Sequence, residues 1–152
     1  MKKLLIAVLI LLVASVSYAA EYVYQSEVKI IGENIRVITF QCQGGAGGAI
    51  TDTEVTAENM RRITGWFLYK VTADHGTTAP DAADVVISVA GGEDLLNGNG
   101  VNLIHATTQQ STYPEIDGQA AKQPIIETIT LEVNNQGTAA AHFNIDLIFT
   151  RF

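Results

Sequence analysis

Trp66-Phe67-Leu68-Tyr69-Lys70-Val71-Thr72, then Ala73-Asp74-His75-Gly76-Thr77-Thr78-Ala79-Pro80, then Asp84-Val85-Val86-Ile87-Ser88-Val89: these three runs decide the fold class. The first is rich in aromatic and β-branched residues and reads as a strand. The second is punctuated by Gly76 and Pro80, which mark a reversal. In the third, Val85, Ile87 and Val89 share one face opposite Asp84, Ser88 and Ala90, the period-2 pattern of a half-buried strand. A loop dense in Gly, Asn and Asp follows, Asp94-Leu95-Leu96-Asn97-Gly98-Asn99-Gly100-Val101-Asn102.

The same alternation recurs on both sides. Tyr22, Tyr24, Val28 and Ile30 share a parity opposite Gln25, Glu27 and Lys29. Gly32-Glu33-Asn34 then turns the chain into Ile35-Arg36-Val37-Ile38-Thr39-Phe40-Gln41, a plausible hairpin. Gly44-Gly45-Ala46-Gly47-Gly48 is expected to be a mobile surface loop, because no Lys and Ser/Thr follow the glycines as a phosphate-cradling loop requires. Residues 53–62 read as a strand running into a short turn or helix, with Thr56 as a possible N-cap. Residues 107–123 read as a long polar loop. Ile125, Ile129, Leu131 and Val133 alternate with Ile126, Thr128, Thr130 and Glu132; Phe143, Ile145, Leu147 and Phe149 alternate with Asn144, Asp146, Ile148 and Thr150. Asn134-Asn135-Gln136-Gly137 is expected to join these two strands as a hairpin loop. About seven or eight strands with little helix pack most simply as an all-β fold, an antiparallel two-sheet sandwich, jelly-roll-like, in one domain over residues 20–152.

Composition and charge restrict function. Of 152 residues, 47% are hydrophobic and 16% charged, which suits one globular core. The N-terminus carries Lys2-Lys3, an apolar run over 4–13 and Ser17-Tyr18-Ala19, the three parts of a secretory signal peptide over 1–19. The protein is therefore expected to be exported, with no membrane contact once the leader is removed. Without Lys2 and Lys3 the net charge of −7 becomes −9. Such a surface repels phosphate backbones, so no nucleic-acid partner is expected. The single cysteine, Cys42, excludes an intramolecular disulfide and reads as a buried thiol rather than one that pairs between chains.

Motifs for chemistry are sparse. His75, His105 and His142 lack metal-ligand spacing, so no zinc site is expected. Asp94, Asn97, Asn99 and Asn102 offer oxygens amid glycines, but Leu stands at 95 and 96 and no Glu at 105, so the loop fits a calcium pattern poorly. Asn and Gly there serve more simply as turn residues. No G-x-S-x-G occurs, and Glu93-Asp94 are neighbours rather than carboxylates opposed across a cleft. No catalytic residue, no metal and no cofactor is implied, and the chain is expected not to be an enzyme.

One resemblance rests on 65–102. Gly65, Leu68, Val71, Thr72, Gly76, Thr77, Thr78, Ala79, Pro80, Asp84 and Val85, with the run 94–102, resemble a pattern found in small all-β proteins encoded in the structural gene clusters of tailed phages and prophages. His75, Ala83 and Leu103 depart from it, where those proteins tend to have Pro, Tyr and a basic residue. About a quarter of the chain is covered, with a weaker echo in Leu131-Glu132-Val133-Asn134-Asn135. The resemblance implies a small virion protein that decorates a capsid or belongs to a tail. The leader points instead to an exported bacterial surface or periplasmic module, adhesive, carbohydrate-binding or filament-forming. Both readings make it a binding protein whose partner is itself or a larger protein assembly, with carbohydrate possible. Trp66 and Leu68 fall on one face of their strand while Phe67, Tyr69 and Val71 fall on the other, and Ile38, Phe40 and Ile148 stand opposite the main core parity. Trp66, Leu68, Ile38, Phe40, Tyr113 and Ile148 are thus the candidate interaction surface, and a covering loop over 107–123 is the alternative account.

Overall fold

The computed structural model describes residues 20–151; the expected leader lies outside them. Strands dominate, with one short helix: β1 (Tyr22–Gln25), β2 (Lys29–Ile31), β3 (Ile35–Gln43), β4 (Thr53–Glu54), α1 (Ala57–Ile63), β5 (Phe67–His75), β6 (Asp84–Val89), β7 (Gln110–Thr112), β8 (Glu115–Ile116), β9 (Gln119–Ala120), β10 (Gln123–Pro124), β11 (Ile129–Asn134) and β12 (His142–Thr150). All pairings are antiparallel. The larger sheet runs β1-β3-β12-β5-β10, with β2 beside β3 and β7 beside β5. The smaller runs β4-β11-β6, and β8-β9 forms a hairpin of its own. The all-β sandwich expected from the alternation is what forms. The twelve strands exceed the expected seven or eight because several have only two or three residues, too short to leave a periodic signal.

Both sheets contribute to one core. Ile38, Phe40, Leu68, Val71, Phe143, Ile145, Leu147 and Phe149 come from the larger sheet, and Val85, Ile87, Ile129, Leu131 and Val133 from the smaller. This is sheet-on-sheet burial, in which the inner faces share one core.

The connections differ from expectation at two places. β11 pairs with β4 and β6, whereas β12 pairs with β3 and β5, so 135–141 carries the chain from one sheet to the other rather than closing a hairpin. The reversal after β5 is likewise a crossing, since β5 and β6 lie in different sheets. Gln136, almost fully buried, ties the two crossings together: its Oε1 accepts from the N–H of Asp81 and of Thr138, and its Nε2 donates to Thr138 O. A loop that satisfies its own backbone through one side chain gives no strand-pairing signal in sequence.

Parity is also corrected. Ile38, Phe40 and Cys42 form the inner row of β3, opposite Leu147, Ile145 and Phe143. In β5 the register against β12 shifts, with Ile148 opposite Lys70 and Phe149 opposite Leu68. Tyr69 is the extra residue of this β-bulge, and it returns Leu68, Val71 and Ala73 to one inner face. The surplus apolar face read from strict alternation is therefore reduced to Phe67, Tyr69 and Ile148, while Trp66, Leu68, Ile38 and Phe40 turn inward. In the first strand, the break at 26–28 separates β1 from β2. Val23 turns inward opposite Cys42, while Tyr22, Tyr24 and Ile30 are exposed.

Asn59 makes that break possible. Its Oδ1 accepts from Val28 N, and its Nδ2 donates to Gln25 Oε1 and Ser26 O, so a buried amide replaces the lost ladder bonds. Residues 53–62 thus contain both of the elements left open: strand β4, then α1, capped by the Thr56 hydroxyl accepting from Asn59 N.

Residues 44–48 are packed rather than free. Gly44 donates to Ala141 O, and a Cβ on Gly48 (φ +82°) would lie 2.4 Å from the Gly137 carbonyl carbon. Gly44 and Gly48 are required by close approach of backbone, whereas Gly47 faces open space. Residues 107–123 are not a structureless loop either: β7 and β10 extend the larger sheet along β5, and β8-β9 folds back as a hairpin.

Candidate functional site

Of the six residues expected on an interaction surface, Ile38, Phe40, Trp66 and Leu68 are core. Each is at most 2% exposed. The bulge at Tyr69 and the inner row of β3 account for this, because residues assigned to an outer face by strict alternation point inward. Ile148 is half-buried on the outer face between Val37 and Lys70, and Tyr113 is 41% exposed.

What the surface offers instead begins at the tip of the first hairpin. All three residues of β2 are exposed: Ile31 and Ile35 pair side by side across the Gly32-Glu33-Asn34 turn, and Ile30 (63%), opposite Arg36, projects from the other face, so the hairpin tip is an apolar knob. The left-handed Gly32 (φ +63°) lets the turn close without a Cβ. β2 is an edge strand of the larger sheet, so the knob sits where main-chain groups are also available. Exposed tips are usually polar, and periodicity placed Ile30 in a core; three isoleucines flanking one turn were the available signal.

A second feature lies along the opposite edge. Tyr69, displaced outward by the bulge, meets Tyr113 edge to face at 5.5 Å between ring centroids. Lys122 lies 5.8 Å from the Tyr69 ring and Lys70 5.9 Å from the Tyr113 ring. These rings, with Ala120, Ala121 and Lys122, line a hollow of about 160 Å³. Flat aromatic faces beside a small-residue floor and a cation suit a planar or ring-shaped ligand.

The 94–102 loop is a structural plug. Asp94 Oδ1 accepts from Ile87 N and Leu96 N, and its Oδ2 accepts from Gly98 N. Leu95 and Leu96 are buried, and a Cβ on Gly100 would fall 1.7 Å from Val85 O. Asp84 holds the far side, accepting from Asn102 N and from Asn135 Nδ2. The Asp-Leu-Leu-Asn-Gly pattern thus serves backbone satisfaction and close packing. Among the described residues no group of three or more His, Cys, Asp or Glu gathers as a metal site. His75, His105 and His142 do not converge on shared ligands: His142 opens β12 against the Tyr22 ring, His105 bonds to Thr108, and His75 ends β5.

Cys42 is buried on the inner row of β3. Burial pushes its thiol up to about 12, the opposite of the depressed value a nucleophilic or exchanging cysteine needs.

Among the described residues no helix is long and apolar enough to cross a membrane. Compared with protein-family models, with curated proteins and with solved structures, the chain has no match.

Proposed function

We propose that this chain is a non-enzymatic structural or assembly protein, a virion-type β-sandwich that self-associates or coats a particle after export of residues 20–152. The single observation that carries this reading is the isoleucine knob of Ile30, Ile31 and Ile35 on an open edge strand. An edge hairpin tip that exposes Ile31 and Ile35 on one face and Ile30 on the other is an association liability in a lone monomer, and burial against a partner would remove apolar area from water at about 25 cal/mol per Å². Light scattering on the purified protein should give a mass above the monomer, and replacing Ile30 and Ile31 by Lys should return it to the monomer. A strictly monomeric wild type at high concentration, with no binding to a particle encoded alongside it, overturns the proposal.

The second reading, an exported surface module that binds carbohydrate, is favoured by the Tyr69-Tyr113 shelf beside Lys122. Stacking on exposed tyrosines is sequence-accessible chemistry for a sugar ring, whereas Trp66 is covered. Gel retardation in immobilised polysaccharides should be lost in Tyr113→Ala with folding unchanged. Equal retardation of both proteins removes this reading.

A further inference from the structure

Two arginines meet over one tryptophan at one end of the sandwich, with a third on α1 near enough to be felt. Arg36 occupies the first inward position of β3, opposite Phe149, and Arg151 follows β12 two residues past Phe149, on the same parity. Inward parity at the mouth of the core would bury a charge, so both side chains fold across Trp66. The Arg36 Cζ lies 4.1 Å and the Arg151 Cζ 4.6 Å from the Trp66 ring centroid. Arg62 of α1 is close enough for its charge to be felt at Arg36: burial lowers the Arg36 pKa first, and Arg151 and Arg62 lower it further.

Two observations set this cluster apart from a simple cation–π cap. Among the described residues the only ion pair at this end is Arg62 with Glu58 at 3.0 Å, so Arg36 and Arg151 have no carboxylate although the chain carries 16 Asp and Glu against 9 Lys and Arg. In addition, Trp66 is 2% exposed with its Nε1 unpartnered, and the buried Arg36 Nε also lacks an acceptor. Buried donors are ordinarily satisfied, and like charges gathered without a counter-charge are unfavourable. The unpartnered donors call for an acceptor and the unpaired guanidinium groups for a negative charge, and an anionic oxygen supplies both.

We propose that Arg36 and Arg151, gathered over Trp66, form a binding site for an oxyanion, a phosphate or a carboxylate group. The planar guanidinium forks match such groups with paired N–H···O bonds, which a spherical halide cannot accept in the same way. Arg151 is exposed and Arg36 half-buried, so the charged ends stay within reach of solvent while the ring holds their planes.

Trp66 is the sole tryptophan, so its fluorescence reports this site alone. The purified protein is titrated with inorganic phosphate or acetate, with sodium chloride at matched ionic strength as the reference. A saturable emission change with phosphate or with acetate is expected, weakened at least tenfold in Arg151→Gln and retained in Lys70→Gln, which removes a cation on the outer face of β5, opposite Ile148. Saturation by phosphate alone assigns a phosphate group as the ligand, and saturation by acetate alone a carboxylate. Arg151 is exposed at the end of β12, so its replacement leaves the core intact, and an unchanged near-ultraviolet circular dichroism spectrum checks this. An emission change that follows ionic strength alone, or one that persists unweakened in Arg151→Gln, overturns the site.

Discussion

Cys42 shows how a residue's chemistry follows from its row in the sheet. Facing the core opposite Phe143 and Val23, it keeps its proton in the folded chain up to about 12, because a thiolate there would be desolvated. The unfolded chain loses that proton at the ordinary thiol value. The contribution to stability is therefore complete below the unfolded value and is lost as pH rises beyond it, by at most about 1.4 kcal/mol per pH unit. Urea unfolding from pH 8 to pH 10.5 should show a steeper loss for the wild type than for Cys42→Ala, whose other titrating groups are the same. Parallel slopes would contradict the assignment. In the native state the thiol should also resist alkylation until denaturant is added.

At the scale of elements, the 94–102 loop is held by its own backbone turns and by one carboxylate that accepts three further N–H groups. Removing Asp94 leaves three N–H groups, those of Ile87, Leu96 and Gly98, without their acceptor. Bonds to a charged group contribute about 1.5–3 kcal/mol, and the three share one partly exposed carboxylate, so Asp94→Ala should lower stability by about 3 kcal/mol. Thermal melts measure this. The same melts repeated with a chelator should be unchanged in the wild type, because both Asp94 oxygens are already engaged; a drop of many degrees would return the loop to a calcium role. The bulge at Tyr69 belongs to this scale too. One extra residue against β12 reverses the faces of everything before it, which is why Leu68 is buried and Tyr69 stands out beside Tyr113.

For the whole molecule, the sandwich brings an apolar hairpin tip and a basic cluster to the same end: Arg36 follows Ile35 directly, and Arg151 N donates to Asn34 O in that turn. The described fold opens just after the expected leader, with the Glu21 carboxylate accepting from Thr51 N and β1 starting at Tyr22. Cleavage after Ala19 would leave every one of those bonds in place. Mass spectrometry of the secreted protein should accordingly find a species starting at or near Ala20, and a mature chain retaining 1–19 would sink the export reading. Alternation in 84–89, 129–134 and 142–150 determined by itself that the chain is all-β and which residues of those strands are core, because a period of two forces each such strand to bury one face. Only the tertiary structure decided which sheet each strand joins, since β11 and β12, adjacent in sequence, separate to cover opposite sides of one core. The candidate sites were hidden for the same reason. Ile30 is exposed because β2 is an edge, Tyr113 meets Tyr69 because of a bulge, and two arginines distant in sequence share one tryptophan because β3 begins and β12 ends there. None of these is a local property of the residues, and each follows from packing alone.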